Sequence, residues 1–98
     1  MKRGGYVYIL TNKWKTVLYT GVTSSLSKRI LEHKEKVHPT SFTARYFCDI
    51  LIYYKGFQNI EEAIAEEKRL KGLSKSKKVA IIEKLNPGWE DLYPSLEE

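Results

Sequence analysis

The sequence predicts a small α+β domain: a three-stranded antiparallel sheet flanked by about three helices. Three observations point there. Two β-rich runs, Tyr6–Leu10 and Val17–Gly21, are separated by the short polar-rich segment Thr11–Thr16, the spacing of a hairpin. A third run, Ile50–Tyr54, is rich in β-branched and aromatic residues and too apolar to stand alone, so it pairs with the hairpin. Helical periodicity appears three times, after Ser25, after Asn59 and after Ser74 or Ser76.

Within the hairpin, Val7 and Ile9 alternate with Tyr6, Tyr8 and Leu10. A four-residue connection flanked by Thr11 and Thr16 would set Tyr8 opposite Tyr19 and Tyr6 opposite Gly21. In that register Val7, Ile9, Leu18 and Thr20 form one aliphatic face that requires a core. The other face presents two phenols beside a glycine that leaves room for a ligand. A slip of one residue would separate the phenols.

In the first helix either Ser24 or Ser25 is placed to cap. Leu26 and Ile30 mark its apolar stripe, with Arg29 and His33 four residues apart on an adjacent face. A guanidinium fork near two phenols suits a phosphate. Val37–Cys48 reads as an irregular loop, with His38 a surface residue before Pro39. In it, Arg45, Phe42 and Tyr46 would either touch a phosphate and an unstacked base or pin the loop to the body.

The second helix starts at Asn59, with Glu62 as the capping-box partner. Ile60, Ala63 and Ile64 set its inward phase, and the next position in that series is Glu67 before Leu70 resumes it. An inward carboxylate needs a partner, either Lys71 or a divalent metal. Gly72 stops this helix. The third carries Val79, Ile82 and Leu85 as its stripe, and Pro87 ends it. Lys68, Lys71, Lys75, Lys77 and Lys78 give this region a basic surface, either a solvated face or a DNA-contact surface.

Composition limits the classes. Ninety-eight residues, 42% hydrophobic, make one domain, with a core over 5–92 and an acidic tail over 93–98. No apolar run is long enough to span a membrane, and Met1–Gly5 leads directly into a strand, which predicts no signal peptide. The lone Cys48 excludes an internal disulfide and lacks a zinc pattern, so a reduced, cytoplasmic protein is expected. Four of the twelve acids and none of the 17 basic residues lie beyond Pro87, so residues 1–86 carry a net charge of +9. Such a body favours polyanions.

The residues resemble a known family. Val7-Tyr8 and Tyr19-Thr20-Gly21 are similar to the paired signature of the GIY-YIG nuclease domain, with Tyr6 in place of the first glycine and Thr20 in place of isoleucine. Arg29 and His33, ten and fourteen residues after Tyr19, match the family's arginine and its following histidine or tyrosine. Ala63–Lys68 resembles the segment holding the family's metal-binding glutamate, with Glu67 in that place and Glu66 where close relatives usually carry arginine. Phe42–Tyr46 resembles a Phe-Thr-x-x-Tyr stretch of small bacterial members. Asn86-Pro87, followed by Trp89 and Asp91-Leu92, resembles the family's asparagine, which lies near the tyrosines and helps tie down the C-terminal tail; the alternative is an asparagine that only ends the helix.

That resemblance implies Mg²⁺- or Mn²⁺-dependent hydrolysis of DNA phosphodiester bonds in repair or processing. Its residues would be Tyr8, Tyr19, Arg29, His33, Glu67 and Asn86. Glu67 would hold the metal, which would bind a phosphate oxygen and stabilise the departing 3′-oxyanion. Arg29 would stabilise charge on the phosphorus-bound oxygens. Tyr19 would be the general base, with Tyr8 orienting it. Because an unperturbed phenol ionises near about pH 10, it would need nearby positive charge. His33 is the competing base. A domain of this size, expected to be a monomer, predicts weak sequence preference or recognition of a DNA structure. Two alternatives stay open: a catalytically weak or inactive nucleic-acid-binding module of the same fold, and a protein-interaction domain using its aromatic surface.

Overall fold

The computed structural model describes residues 4–96. Strands β1 (Gly5–Thr11), β2 (Leu18–Thr23) and β3 (Ile50–Phe57) form one antiparallel sheet in the order β2-β1-β3. Four helices accompany it: α1 (Leu26–Lys34), the single-turn α2 (Phe42–Arg45), α3 (Ile60–Lys71) and α4 (Lys75–Leu85). A 3₁₀ turn follows at Tyr93–Ser95. This is the expected α+β class, with one helix more. The segment expected to be irregular contains α2, nucleated by the Ser41 hydroxyl, which accepts from the Ala44 amide at 3.3 Å.

The hairpin register differs from the expected one by two residues. Tyr8 faces Gly21 and Leu10 faces Tyr19. The cause is Asn12, a buried residue. Its Oδ1 accepts from the Thr16 amide at 2.9 Å and its Nδ2 donates to the Thr16 hydroxyl at 2.8 Å. This closed polar turn keeps Thr16 and Val17 out of the ladder, so Thr11 pairs with Leu18. A shift of two preserves side-chain parity, and both phenols stay on one face as expected.

Both faces of the sheet are covered. Val7, Ile9, Ile52 and Tyr53 pack with Ala63, Leu70 and Ile82 of α3 and α4. Tyr6, Tyr8 and Leu10 pack with Leu26 and Ile30 of α1, Cys48 and Leu51. The phenol face is thus partly core. Between Ile9 and Leu10 the pairing with β3 slips, Ile9 facing Tyr53 and Leu10 facing Leu51. Ile52 is left unopposed, and both it and Tyr53 turn to the α3 side.

Caps and stripes follow the sequence in part. Asn59 Oδ1 accepts from the Glu62 amide at 3.0 Å and the Ser74 hydroxyl from the Lys77 amide at 3.3 Å. At α1, Ser25 occupies the cap position without a side-chain bond. Instead the Thr23 hydroxyl accepts from the Ser25 amide at 3.0 Å and donates to its carbonyl at 3.2 Å. Gly72 ends α3 in right-handed backbone. Ile64 and Leu85 were expected inward and are exposed. The α3 stripe that reaches the sheet is Ala63 and Leu70, because Gly5 lets the helix come close: a Cβ there would stand 2.9 Å from Ile60 Cδ1 and 3.0 Å from Ala63 Cβ.

The C-terminal segment is tied back onto β3. Leu92 N donates to Leu51 O at 2.7 Å. Asp91 accepts from the Leu51 amide at 3.2 Å and from Lys34 Nζ at 2.6 Å. Trp89 packs in the α3–α4 core and Leu92 in the α1 core, as expected for anchors. The last two acids of the tail lie outside the described residues.

Candidate active site

Tyr8, in the central strand, is buried with its ring across Gly21. A Cβ at Gly21 would stand 2.5 Å from Tyr8 Cζ and from its hydroxyl, so only glycine admits the ring. Burial pushes the phenol above the ordinary range; Tyr19 adds to the shift, Arg29 opposes it, and the Glu67 carboxylate raises it further. Tyr8 is therefore protonated at neutral pH.

Its hydroxyl lies 3.0 Å from His33 Nε2, and His33 Nδ1 lies 2.8 Å from the Thr43 hydroxyl. Burial, with the Arg29 guanidinium next, holds His33 below its ordinary value. In a neutral imidazole one ring nitrogen donates and the other accepts, and because both hydroxyls can take either role, Tyr8 and Thr43 satisfy the two nitrogens together. The chain of contacts joins β1, α1 and α2.

In front of this chain lies a cleft of about 190 Å³, lined among others by Tyr19, Arg29, Glu32, His33 and Lys36. Tyr19 is half-buried on edge strand β2, its ring centroid 6.4 Å from that of Tyr8 and 5.9 Å from that of His33. Arg29 is held by Glu32 at 3.3 Å. His38 also lines the cleft. On the other side of Tyr19 a more open groove of about 360 Å³ is bordered by Thr20, Phe42, Lys71 and Lys78.

Glu67 is largely buried and paired with Lys71 at 3.0 Å. Its neighbour Glu66 points elsewhere, in a two-point pair with Arg69 at 2.7 Å through each oxygen, under the influence of Lys55. The adjacent acids thus serve different sides of α3, and Glu66 does not compete for whatever Glu67 holds. Among the described residues, no three His, Cys, Asp or Glu side chains gather as a metal cage. The Glu67 carboxylate supplies hard oxygens, occupied here by the Lys71 ammonium, and the buried Thr20 hydroxyl, on the same groove as Lys71, has no hydrogen-bond partner. A single carboxylate of this kind fits a hard divalent cation that takes the rest of its shell from water and phosphate.

The remaining candidate residues divide. Asn86 Nδ2 donates to Ile52 O at 3.1 Å and Glu90 O at 2.8 Å, and its Oδ1 accepts from the Glu90 amide at 3.1 Å. Its side chain ties the tail to β3, as the resemblance implies, and it is not among the residues lining the cleft. Lys71 and Lys78 border the groove. Lys75 is bound to Thr16 O at 3.1 Å, and Lys68 and Lys77 stand exposed on α3 and α4. Arg45 lies over the Tyr46 ring at 6.0 Å. Sequence reasoning missed Thr43, which orients His33, and Glu32, which holds Arg29. The signal for Thr43 was present: Ser41 three residues before Ala44 is a cap pattern, and the turn it starts carries Thr43 inward.

Residues 4–80 match the model of the GIY-YIG catalytic domain. The chain belongs to the GIY-YIG family. Within it, the chain is 38% identical over 82 residues to a UPF0213 protein of Oceanobacillus iheyensis, covering 80% of this chain and 88% of that one. A UPF0213 protein of Clostridium perfringens is 37% identical over 81 residues, covering 79% and 81%. The solution NMR structure of a UPF0213 protein from Bacillus halodurans superposes with a TM-score of 0.57 at 30% identity, over 89% of this chain and 90% of that one. A GIY-YIG domain suggests nuclease activity; the relatives' names state none.

Proposed function

We propose that this GIY-YIG domain is a metal-dependent endonuclease that hydrolyses phosphodiester bonds in DNA, with weak sequence preference or a preference for a DNA structure, and serves repair or processing. The observation that carries this reading is the meeting of Tyr19, Arg29 and His33 on one cleft, with the Tyr8 phenol bonded to His33 behind it. Arg29 presents the guanidinium fork to a phosphate, exchanging Glu32 for phosphate oxygens as charge grows on them. Tyr19 is the phenol that faces the cleft, and we assign its deprotonated form the attacking water's proton, with Arg29 supplying the positive charge that favours the phenolate. Both His33 nitrogens are engaged, by Tyr8 and by Thr43, so His33 holds the constellation in register rather than acting as base. When bound at Glu67, Mg²⁺ or Mn²⁺ supplies Lewis-acid charge at a phosphate oxygen and the departing 3′-oxygen.

The test is a nicking assay on supercoiled and branched DNA with Mg²⁺, run alongside Glu67→Ala. Cleavage by the wild type that drops by about a thousandfold or more in the variant is the expected result. Equal cleavage by both would move the activity away from this site. The Lys71 ammonium on Glu67 favours one other reading, a member that binds nucleic acid without cutting it. DNA retention with no cleavage by either protein would establish that alternative.

A further inference from the structure

Phe42 and Tyr46, both about half exposed, extend the site outward. Tyr19 stacks on Phe42 with centroids 6.0 Å apart and planes at 27°, and Phe42 meets Tyr46 at 4.7 Å. Nearby in sequence, Phe47 meets Trp14 of the hairpin turn edge-on at 6.2 Å, and both are more than half exposed. None of these four exposed rings belongs to either core: their contacts join α2 to β2 and to the hairpin turn, yet leave about half of each ring open to solvent.

Each end of this surface carries cations. Lys13 lies over Trp14 at 4.9 Å, Lys36 over Phe47 at 5.6 Å and Arg45 over Tyr46 at 6.0 Å. Among the described residues, carboxylates pair with Arg29, Lys34, Arg69 and Lys71, leaving these three cations to the rings. Lys36 and Phe47 both hold left-handed backbone, at φ 52° and 58°. They are the closing residues of α1 and α2, where Val37 N donates to Glu32 O at 3.1 Å and Cys48 N to Thr43 O at 2.8 Å, so each helix ends in a way that turns the chain at this surface. Lys36 also lines the cleft with Arg29, so the surface is continuous with the candidate site.

Exposed rings interleaved with cations match one polyanion better than others. A duplex keeps its base faces stacked inside and offers only phosphates and groove edges. An unpaired strand offers both phosphates and free π-faces. We propose that Trp14, Phe42, Tyr46 and Phe47 form a stacking platform for unpaired bases beside the scissile phosphate. The substrate is then DNA with a single-stranded stretch at the cut, such as a flap or splayed junction. The position of the cut relative to the platform rests on the nuclease reading above; the platform itself does not.

Binding is measured in EDTA, so that nothing is cut, with 2-aminopurine placed in single-stranded, fully duplex and splayed DNA. The wild type is compared with Trp14→Ala, Tyr46→Leu and Phe47→Ala, each checked for folding by circular dichroism and urea unfolding. Tyr46→Leu retains apolar packing and removes the ring. The proposal expects single-stranded and splayed DNA to bind at least about tenfold tighter than duplex, with quenched 2-aminopurine. Folded variants should each lose about tenfold in affinity for those DNAs. Equal binding to duplex without quenching, folded variants that bind as the wild type does, tighter binding of the matching RNA, or no binding of any strand would each overturn it. Cleavage is then followed on the same DNAs with Mg²⁺. Stacking without cleavage would refute the nuclease reading and leave the platform, and duplex cleavage without stacking would do the reverse.

Discussion

A methyl group at Gly21 would press on Tyr8 just where the phenol meets His33. The ring is enclosed by the α1 core and cannot swing away freely. Gly21→Ala should therefore cost about 1–3 kcal/mol in urea unfolding, the range of core overpacking. It should also lower any nuclease activity beyond the loss of folded protein, because the Tyr8–His33 contact is displaced with the ring. A variant of wild-type stability would show that the ring adjusts at no cost. This explains the glycine of the second signature tripeptide by its opposite neighbour: the residue leaves room for the Tyr8 phenol, not for a ligand. The central Thr20 has a different consequence, since its buried hydroxyl lacks a partner where isoleucine would have none to satisfy.

Between elements, the Tyr8–His33–Thr43 contacts fasten α1 and α2 to the sheet, and they depend on a neutral imidazole. His33 lies below its ordinary value in the folded chain. The unfolded chain, with the ordinary value of about 6.5, takes up the proton first on acidification. The stability tied to neutral His33 is thus complete above about pH 6.5 and is lost as pH falls through the lower folded value. Urea unfolding from pH 7.5 down to 5 should show this decline in the wild type and a shallower one in His33→Gln; identical profiles would deny that the relay holds the elements together. The elements themselves were largely legible in the sequence. Alternation identified β1, and β-branched and aromatic composition identified β2 and β3, while Asn59 and the Ser74–Ser76 stretch marked two helix starts. What was not legible arose from contacts distant in sequence or from side chains closing a turn. Asn12 moved the register without changing the faces. Gly5, read only as a lead-in to the strand, brought α3 close and turned its phase so that Ile64 faces outward. Of the candidate site, the phenols, Arg29 and His33 came together as their spacing suggested, and Asn86 ties down the tail as the resemblance implies, away from the cleft lining.

At the scale of the whole molecule, charge is arranged around Tyr19. Arg29 and Lys36 line the cleft on one side of it, Lys71 and Lys78 the groove on the other. Asp91, one of the acids beyond Pro87, is no counterweight to them, since it is already spent on Lys34 and on the Leu51 and Tyr93 amides. A DNA strand crossing at Tyr19 would meet these four cations and release the counterions of about as many phosphates. Four such contacts weaken binding by roughly a hundredfold between about 50 and about 200 mM salt. Binding measured across that range, in EDTA, should fall accordingly, and Lys78→Ala should reduce the logarithmic slope by about one. Lys71→Ala is less informative, because removing it also frees Glu67 and adds a bare carboxylate beside the strand. Lys78 is therefore the decisive position. A flat salt response, or an unchanged slope in Lys78→Ala, would leave stacking to hold the strand and remove the groove from its path.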